Sequence, residues 1–241
     1  MSAPVFFAAV EEAGEWLVQE GTPHQVANTV WAFGKLKVEG LGFLIAVEKR
    51  ADWLVDGGTP HHVSIVAWAF VELGFEAPGF FAAVERRANW IVEEGTPMAI
   101  ANTFHASAKL GMECPAFFIL VESRDAWLVR EGSVKNIIDV AWAFAELDIE
   151  APGFFKAMDE KGDSIVTEGS PDDIAKAAWA FAELGFTAPR FFAAVDRKCE
   201  WLVSEGKPLT IANLLRAVAK LGVVLPRFFL EAERKLEGGR D

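Results

Sequence analysis

The stretch GTPHQVANTVWAFGKL, residues 21–36, returns five times at a constant step of 37 residues. It reads GTPHHVSIVAWAFVEL from Gly58, GTPMAIANTFHASAKL from Gly95, GSVKNIIDVAWAFAEL from Gly132, GSPDDIAKAAWAFAEL from Gly169 and GKPLTIANLLRAVAKL from Gly206. No insertion or deletion breaks the register. A fixed period of this length restricts the fold more than any other feature. Each copy is one supersecondary unit that cannot bury its apolar faces alone, so neighbouring copies must stack. With column 1 at Ala3, Gly40, Ala77, Cys114, Ala151, Ala188 and Leu225, the repeats run 3–39, 40–76, 77–113, 114–150, 151–187 and 188–224. A half-repeat, 225–237, and a tail, 238–241, follow. The expected architecture is all-α: one right-handed α-solenoid domain over 1–241, built from six helix-turn-helix repeats and a terminal half-repeat.

Each repeat reads as two helices. Helix A opens with Pro4, Pro78, Pro115, Pro152, Pro189 or Pro226 in its first turn, where the missing N–H costs nothing. Repeat two replaces that proline with Gly40-Leu41-Gly42. Gly21, Gly58, Gly95, Gly132, Gly169 and Gly206 then stop the helix, as expected of a C-terminal glycine at positive φ. Helix B starts at once, with Thr22, Thr59, Thr96, Ser133 and Ser170 as N-caps. Gln25 and Asp173 stand where a capping box needs them. Gly74, Gly111, Gly185 and Gly222 end four B helices; Lys37 and Asp148 replace that glycine and predict a looser turn. Gly162 within helix A, with Ser164 in a tryptophan column, marks repeat five as the weakest.

At ~100° per residue the faces of helix B separate. In the first copy Val26, Thr29, Val30, Phe33 and Leu36 form the core face. Columns 22, 26, 29 and 33 lie opposite, as His24, Asn28, Trp31 and Lys35. An alanine column (Ala32, Ala69, Ala106, Ala143, Ala180, Ala217) lies between and allows close approach of neighbouring helices. All nine tryptophans occupy two columns. Column 14 holds Trp16, Trp53, Trp90, Trp127 and Trp201. Column 29 holds Trp31, Trp68, Trp142 and Trp179, with His105 and Arg216 in the remaining copies. Core packing explains either column. Column 29 also admits stacking on nucleobases, because it shares a face with the variable columns and because His and Arg stack as well.

Composition excludes several functions. No uncharged apolar run approaches the ~18–20 residues of a membrane span, so no membrane partner is expected. Cys114 and Cys199 make no disulfide framework and point to a reducing compartment. His24, His61, His62 and His105 lack metal-ligand spacing. Phosphate loops, nucleophile elbows and paired-cysteine motifs are missing, so neither catalytic residues nor cofactors are expected. The net charge of −12 argues against a generally basic nucleic-acid binder, but the acid is segregated. Glu11, Glu48, Glu85, Glu122, Asp159, Asp196 and Glu233 fill column 9, one per repeat, and read as structural. Column 11 is basic from the second repeat onward: Arg50, Arg87, Arg124, Lys161, Lys198 and Lys235. It reads either as a set of inter-repeat and helix-terminus contacts or as a row of phosphate contacts.

The copies VANTVWAFGKL, IANTFHASAKLG and IANLLRAVAKLG resemble octotricopeptide and heptatricopeptide repeats, helix-pair arrays related to the FAST-kinase-like leucine-rich group. The resemblance covers essentially the whole chain. Asn28, Asn102 and Asn213 match its asparagine; Ile65, Asp139 and Lys176 depart from it. It implies a non-enzymatic α-solenoid that binds single-stranded RNA in mitochondria or plastids and acts in RNA processing, stability or translation. Further repeats or a RAP domain would belong to a longer chain. The N-terminus shows no leader, which leaves a cytosolic protein or a fragment as expectations. On the RNA reading His24, Gln25, Asn28, His61, His62, Asn102, Asn136, Asp139, Asp173, Lys176 and Asn213 face bases. Trp31, Trp68, His105, Trp142, Trp179 and Arg216 stack, and Arg50, Arg87, Arg124, Lys161 and Lys198 meet phosphates. The alternative is a scaffold that holds a peptide or helix in its groove, without RNA.

Overall fold

The computed structural model describes residues 9, 10 and 12–238. Pro4, Glu11 and the tail beyond Gly238 lie outside them. All regular structure among the described residues is helical, and the chain divides into two compact units, Met1–Arg124 and Asp125–Asp241. Unit one holds α1 (Gly14–Glu20), α2 (Pro23–Leu36), α3 (Leu41–Lys49), α4 (Ala51–Gly57), α5 (Pro60–Leu73), α6 (Pro78–Arg86), α7 (Ala88–Glu94), α8 (Pro97–Lys109) and α9 (Pro115–Ser123). Unit two holds α10 (Asp125–Glu131), α11 (Val134–Glu146), α12 (Pro152–Glu160), α13 (Gly162–Glu168), α14 (Pro171–Glu183), α15 (Pro189–Arg197), α16 (Cys199–Glu205), α17 (Pro208–Leu221) and α18 (Pro226–Gly238). Each unit is an α-solenoid in which a helix meets its counterpart in the next repeat. B helices α2, α5 and α8 pack in series in unit one, and α11, α14 and α17 in unit two.

The B helices begin where their caps dictate. Thr22, Thr59, Thr96, Ser133 and Ser170 each accept from the backbone N–H three residues on. Gln25, His62, Asn136 and Asp173 return the contact by accepting from the cap's own N–H, completing four capping boxes. The glycines before these caps are extended rather than left-handed: Gly21 has φ −75° and Gly169 φ −74°. Their need is space. A Cβ on Gly58 would lie 2.6 Å from the Leu54 carbonyl oxygen, and one on Gly169 2.7 Å from that of Ile165. Lys37 and Asp148, expected in looser turns, adopt the same left-handed turn as the glycines they replace, at φ 52° and 53°.

The largest departure from the two-helix expectation is in helix A. It breaks at column 11 in the second to sixth repeats, so each of these carries three helices. Arg50, Arg87, Lys161 and Lys198 sit at the break with φ between −115° and −90° and ψ near zero. No proline marks these positions, and a glycine, Gly162, follows only Lys161. Tertiary contact supplies the reason, because the segment after each break packs on the segment before the next one: α1 on α3, α4 on α6, α7 on α9, then α10 on α12, α13 on α15 and α16 on α18.

Both charged columns cap helix ends across these contacts. Glu48 accepts from the N–H groups of Gly79 (2.5 Å) and Phe80 (3.1 Å), at the start of α6. Glu85 does the same for Ala116 and Phe117, Asp159 for Arg190 and Phe191, and Asp196 for Arg227 and Phe228. These first-turn donors have no partner within their own helix, and each such cap is worth about 0.5–2 kcal/mol. Column 11 works in the opposite direction. Arg50 Nη1 donates to the Val18 carbonyl at 2.6 Å, Arg124 to Val92 at 3.0 Å, Lys161 to Val129 at 2.8 Å and Lys198 to Thr167 at 3.2 Å. A cation thus meets the negative end of the preceding helix. Column 14 supports it from below: Trp53 lies under Arg50 at 4.3 Å, Trp90 under Arg87 at 4.6 Å and Trp201 under Lys198 at 4.8 Å.

Phenylalanines fill the interior. Phe33, Phe70, Phe104, Phe144 and Phe181 of the B helices, and Phe80, Phe117, Phe154 and Phe191 of the A segments, are wholly buried. Repeat three carries its B-helix phenylalanine one turn early, as Phe104, and buried Ser107 fills the usual place by donating to the Phe104 carbonyl. Small residues bring the layers together as the alanine column predicts: a Cβ on Gly34 would lie 2.8 Å from that of Ala69. Gly162 is a fitted position rather than a weakness, since a Cβ there would lie 2.6 Å from Phe191 Cα. Leu36 departs from its core assignment at 58% exposure. Its equivalents Leu73, Leu110, Leu147, Leu184 and Leu221 are only half-buried, so the last turn of each B helix lies at the edge of the core.

Candidate nucleic-acid interface

With columns 9, 11 and 14 engaged in stacking, the proposed phosphate ladder has another occupation. Arg50, Arg124, Lys161 and Lys198 are bonded to carbonyls as described, while Arg87 pairs with Asp56 at 3.6 Å. The candidates of column 23 are similarly committed: Gln25, His62, Asn136 and Asp173 hold helix starts. What remains on the exposed side of the B helices is columns 22, 26 and 29. Trp31 is 42% exposed; Trp68, His105, Trp142 and Trp179 are half-buried and Arg216 is exposed.

In unit one this face carries a chain of imidazoles. His24 Nδ1 and His62 Nε2 are 2.8 Å apart, and His24 Nε2 lies 3.0 Å from the Asn28 side-chain amide. Thr59 N–H donates to His62 Nδ1 at 3.2 Å. That bond assigns the proton of neutral His62 to Nε2, which donates to His24. His61 is exposed nearby, its ring centroid 6.0 Å from that of His62, and Asn102 is half-buried on α8. Burial, then His24 and His61, holds the His62 pKa below its usual value. The folded chain therefore takes up this proton less readily than the unfolded chain. The stability linked to it is complete above the unfolded value of ~6.5 and is lost as pH falls through it. Thermal melts should give a lower Tm at pH 5.5 than at pH 7.5, and His62→Asn should flatten that difference.

In unit two the same columns surround a groove of ≈ 500 Å³ lined by α11, α14 and α17. Trp142 and Trp179 form its aromatic wall, their ring centroids 6.4 Å apart and planes 29° apart. One turn earlier on α14, Lys176 Nζ lies 5.3 Å from the Trp142 ring centroid and donates to Asp139 at 2.7 Å. Lys135 meets the other oxygen of Asp139 at 2.9 Å. Burial alone would push the Asp139 pKa up; Lys176, and after it Lys135, outweigh that and hold it below the usual carboxylate range. Asp139, expected to face a base, instead lies buried beneath Lys176 and fixes the ammonium. On α17, Asn213 and Arg216 stand exposed one turn apart. Lys207 Nζ lies 3.4 Å from Asp172, which also accepts a short hydrogen bond from Thr210. That bond, with the Lys207 contact, outweighs burial and lowers the Asp172 pKa.

The groove brings together Trp142, Trp179, Arg216, Lys176 and Asn213 from the predicted set. Sequence reading did not select Lys207, Thr210 or Asp172. One signal was available: Lys207 is the only cation in the cap column, where the other copies carry Thr or Ser. Among the described residues no three His, Cys, Asp or Glu side chains converge as a metal site would need, and no helix is long and apolar enough to cross a membrane. Burial, then Glu85, pushes the Cys114 thiol up to about 12, far from a reactive thiolate. Comparison with sequence families matches residues 8–226 to the RNA-editing substrate-binding complex 6 protein. No curated protein matches the chain.

Proposed function

This chain belongs to the RNA-editing substrate-binding complex 6 protein family, and from that premise we propose that it holds single-stranded RNA along the exposed face of its B helices. It acts without catalysis, as a binding component of an RNA-processing assembly in a mitochondrion or plastid. The observation that carries the reading is the half-exposed Trp142–Trp179 pair with three cations, Lys176, Lys207 and Arg216, around one groove. Aromatic platforms flanked by cations suit single strands, whose bases are free to stack and whose phosphates need counter-charge. Columns 26 and 29 recur once per repeat, so about one nucleotide per repeat is the expected stoichiometry. A reading register of this kind also fits kinship with octotricopeptide arrays. A peptide-binding scaffold draws support from the net charge of −12 and from Leu209, 70% exposed at the groove.

Binding of a random single-stranded RNA pool across a salt series separates the two. The RNA reading expects affinity to fall with salt, and Lys207→Gln and Arg216→Gln each to reduce the log–log slope by about 0.7. Lys198→Gln, whose ammonium is bonded to the Thr167 carbonyl, should leave the slope unchanged. Failure to retain any RNA at low salt overturns the reading.

A further inference from the structure

Resting on the RNA reading, we propose that the α14–α17 groove is a single-nucleotide site that selects a keto base, uracil or guanine, over cytosine and adenine. The groove's ≈ 500 Å³ accommodates one base with its ribose. Trp179 and Arg216 occupy the same column on adjacent helices and both line it; an indole face and a guanidinium plane are each a stacking surface for a base. Lys207, 78% exposed at the rim, lies beyond Asn213 at the start of α17 and is placed for the phosphate of a neighbouring nucleotide. A nucleotide stacked there with its ribose toward the C-terminal ends of α14 and α17 turns the far edge of its base toward Lys176 and Asn213, one turn nearer the helix starts.

Lys176 decides the preference. An ammonium has three donors and no acceptor. One proton goes to Asp139 at 2.7 Å and the stem is held beside Trp142, so the head is fixed while its side chain stays 29% exposed. The exocyclic group farthest from the ribose is a carbonyl in uracil and guanine, and an amino group in cytosine and adenine. A carbonyl accepts from Lys176; an amino group places donor against donor. The neighbouring ring N–H of a keto base then donates to the Asn213 carboxamide, which offers donors and an acceptor alike. A contact of this kind is worth about 1–3 kcal/mol of discrimination.

The test measures binding of labelled eight-nucleotide oligo(U), oligo(C) and oligo(A) at one fixed salt concentration by fluorescence anisotropy. Oligo(U) should bind about tenfold tighter than the other two. Lys176→Met should abolish the difference between oligo(U) and oligo(C) measured on that same variant, whatever it does to their common affinity; Lys135 still pairs with Asp139 there. Asn213→Ala, at an exposed position, should narrow the gap with no demand on folding. Equal affinity for oligo(U) and oligo(C), or a preference that survives both substitutions, overturns the keto-base site and leaves RNA binding standing. Absence of binding to every oligomer and to the random pool overturns both.

Discussion

Phe155→Ala is expected to destabilise unit two by about 3–5 kcal/mol, the range for truncating a fully buried phenylalanine. Phe155 is 1% exposed. Its ring lies 4.9 Å from that of Phe186 and nearly parallel to it, 5.6 Å from Phe181 and 5.6 Å from Phe154. These neighbours come from α12, from α14 and from the turn after α14, so no single segment can collapse into the cavity. Stability in a stacked array is close to a sum of repeat and nearest-neighbour contributions. The loss should therefore appear in urea melts both as a lower midpoint and as a broader transition, with unit two unfolding ahead of the rest. Phe229 occupies the same column in the last half-repeat but is 39% exposed. Phe229→Ala should cost no more than about two-thirds as much, because the lost transfer energy scales with area removed from water.

The second large effect concerns binding. Replacing Trp142 and Trp179 together with alanine should weaken single-stranded RNA binding by about 30-fold or more, at about 1–3 kcal/mol for each stacked base. The two indoles form one surface, so the double variant should lose no more than the sum of the single losses. Trp53→Ala is the control. Its indole lies beneath Arg50, which holds the Val18 carbonyl; its loss should lower Tm and leave RNA affinity unchanged in the folded protein. Equal effects of the two substitutions on binding would mean that column 29 is packing like column 14.

These two tryptophan columns show how far sequence could go. Both recur at 37 residues and both are large and aromatic. Periodicity identified the helix carrying each, but it could not say that Trp53, Trp90 and Trp201 lie under the column 11 cations of their own repeats while Trp142 and Trp179 pair across neighbouring B helices. That difference depends on the break in helix A at column 11. The break is set by contact with the preceding repeat, and nothing local to Arg50, Arg87 or Lys198 announces it. Asp139 and Lys176 make the same point. They read as two base contacts on successive copies, whereas they are partners 2.7 Å apart, one buried beneath the other.

The repeat, the helical class, the starts of the B helices and the division of each B helix into a core side and an outer side all follow from local chemistry. Thr22 or Ser133 caps its helix through bonds that span three residues, and a 3.6-residue period divides the faces before any neighbour is present. Partners 31 to 38 residues away had to come from the fold. Glu48 finds the start of α6, Arg50 the end of α1, and His24 finds His62. The path between such partners crosses a turn and a whole repeat, so their meeting depends on how the layers pack. That packing engages the basic ladder in holding the array together and leaves the B-helix face, with Trp142 and Trp179, open to a ligand.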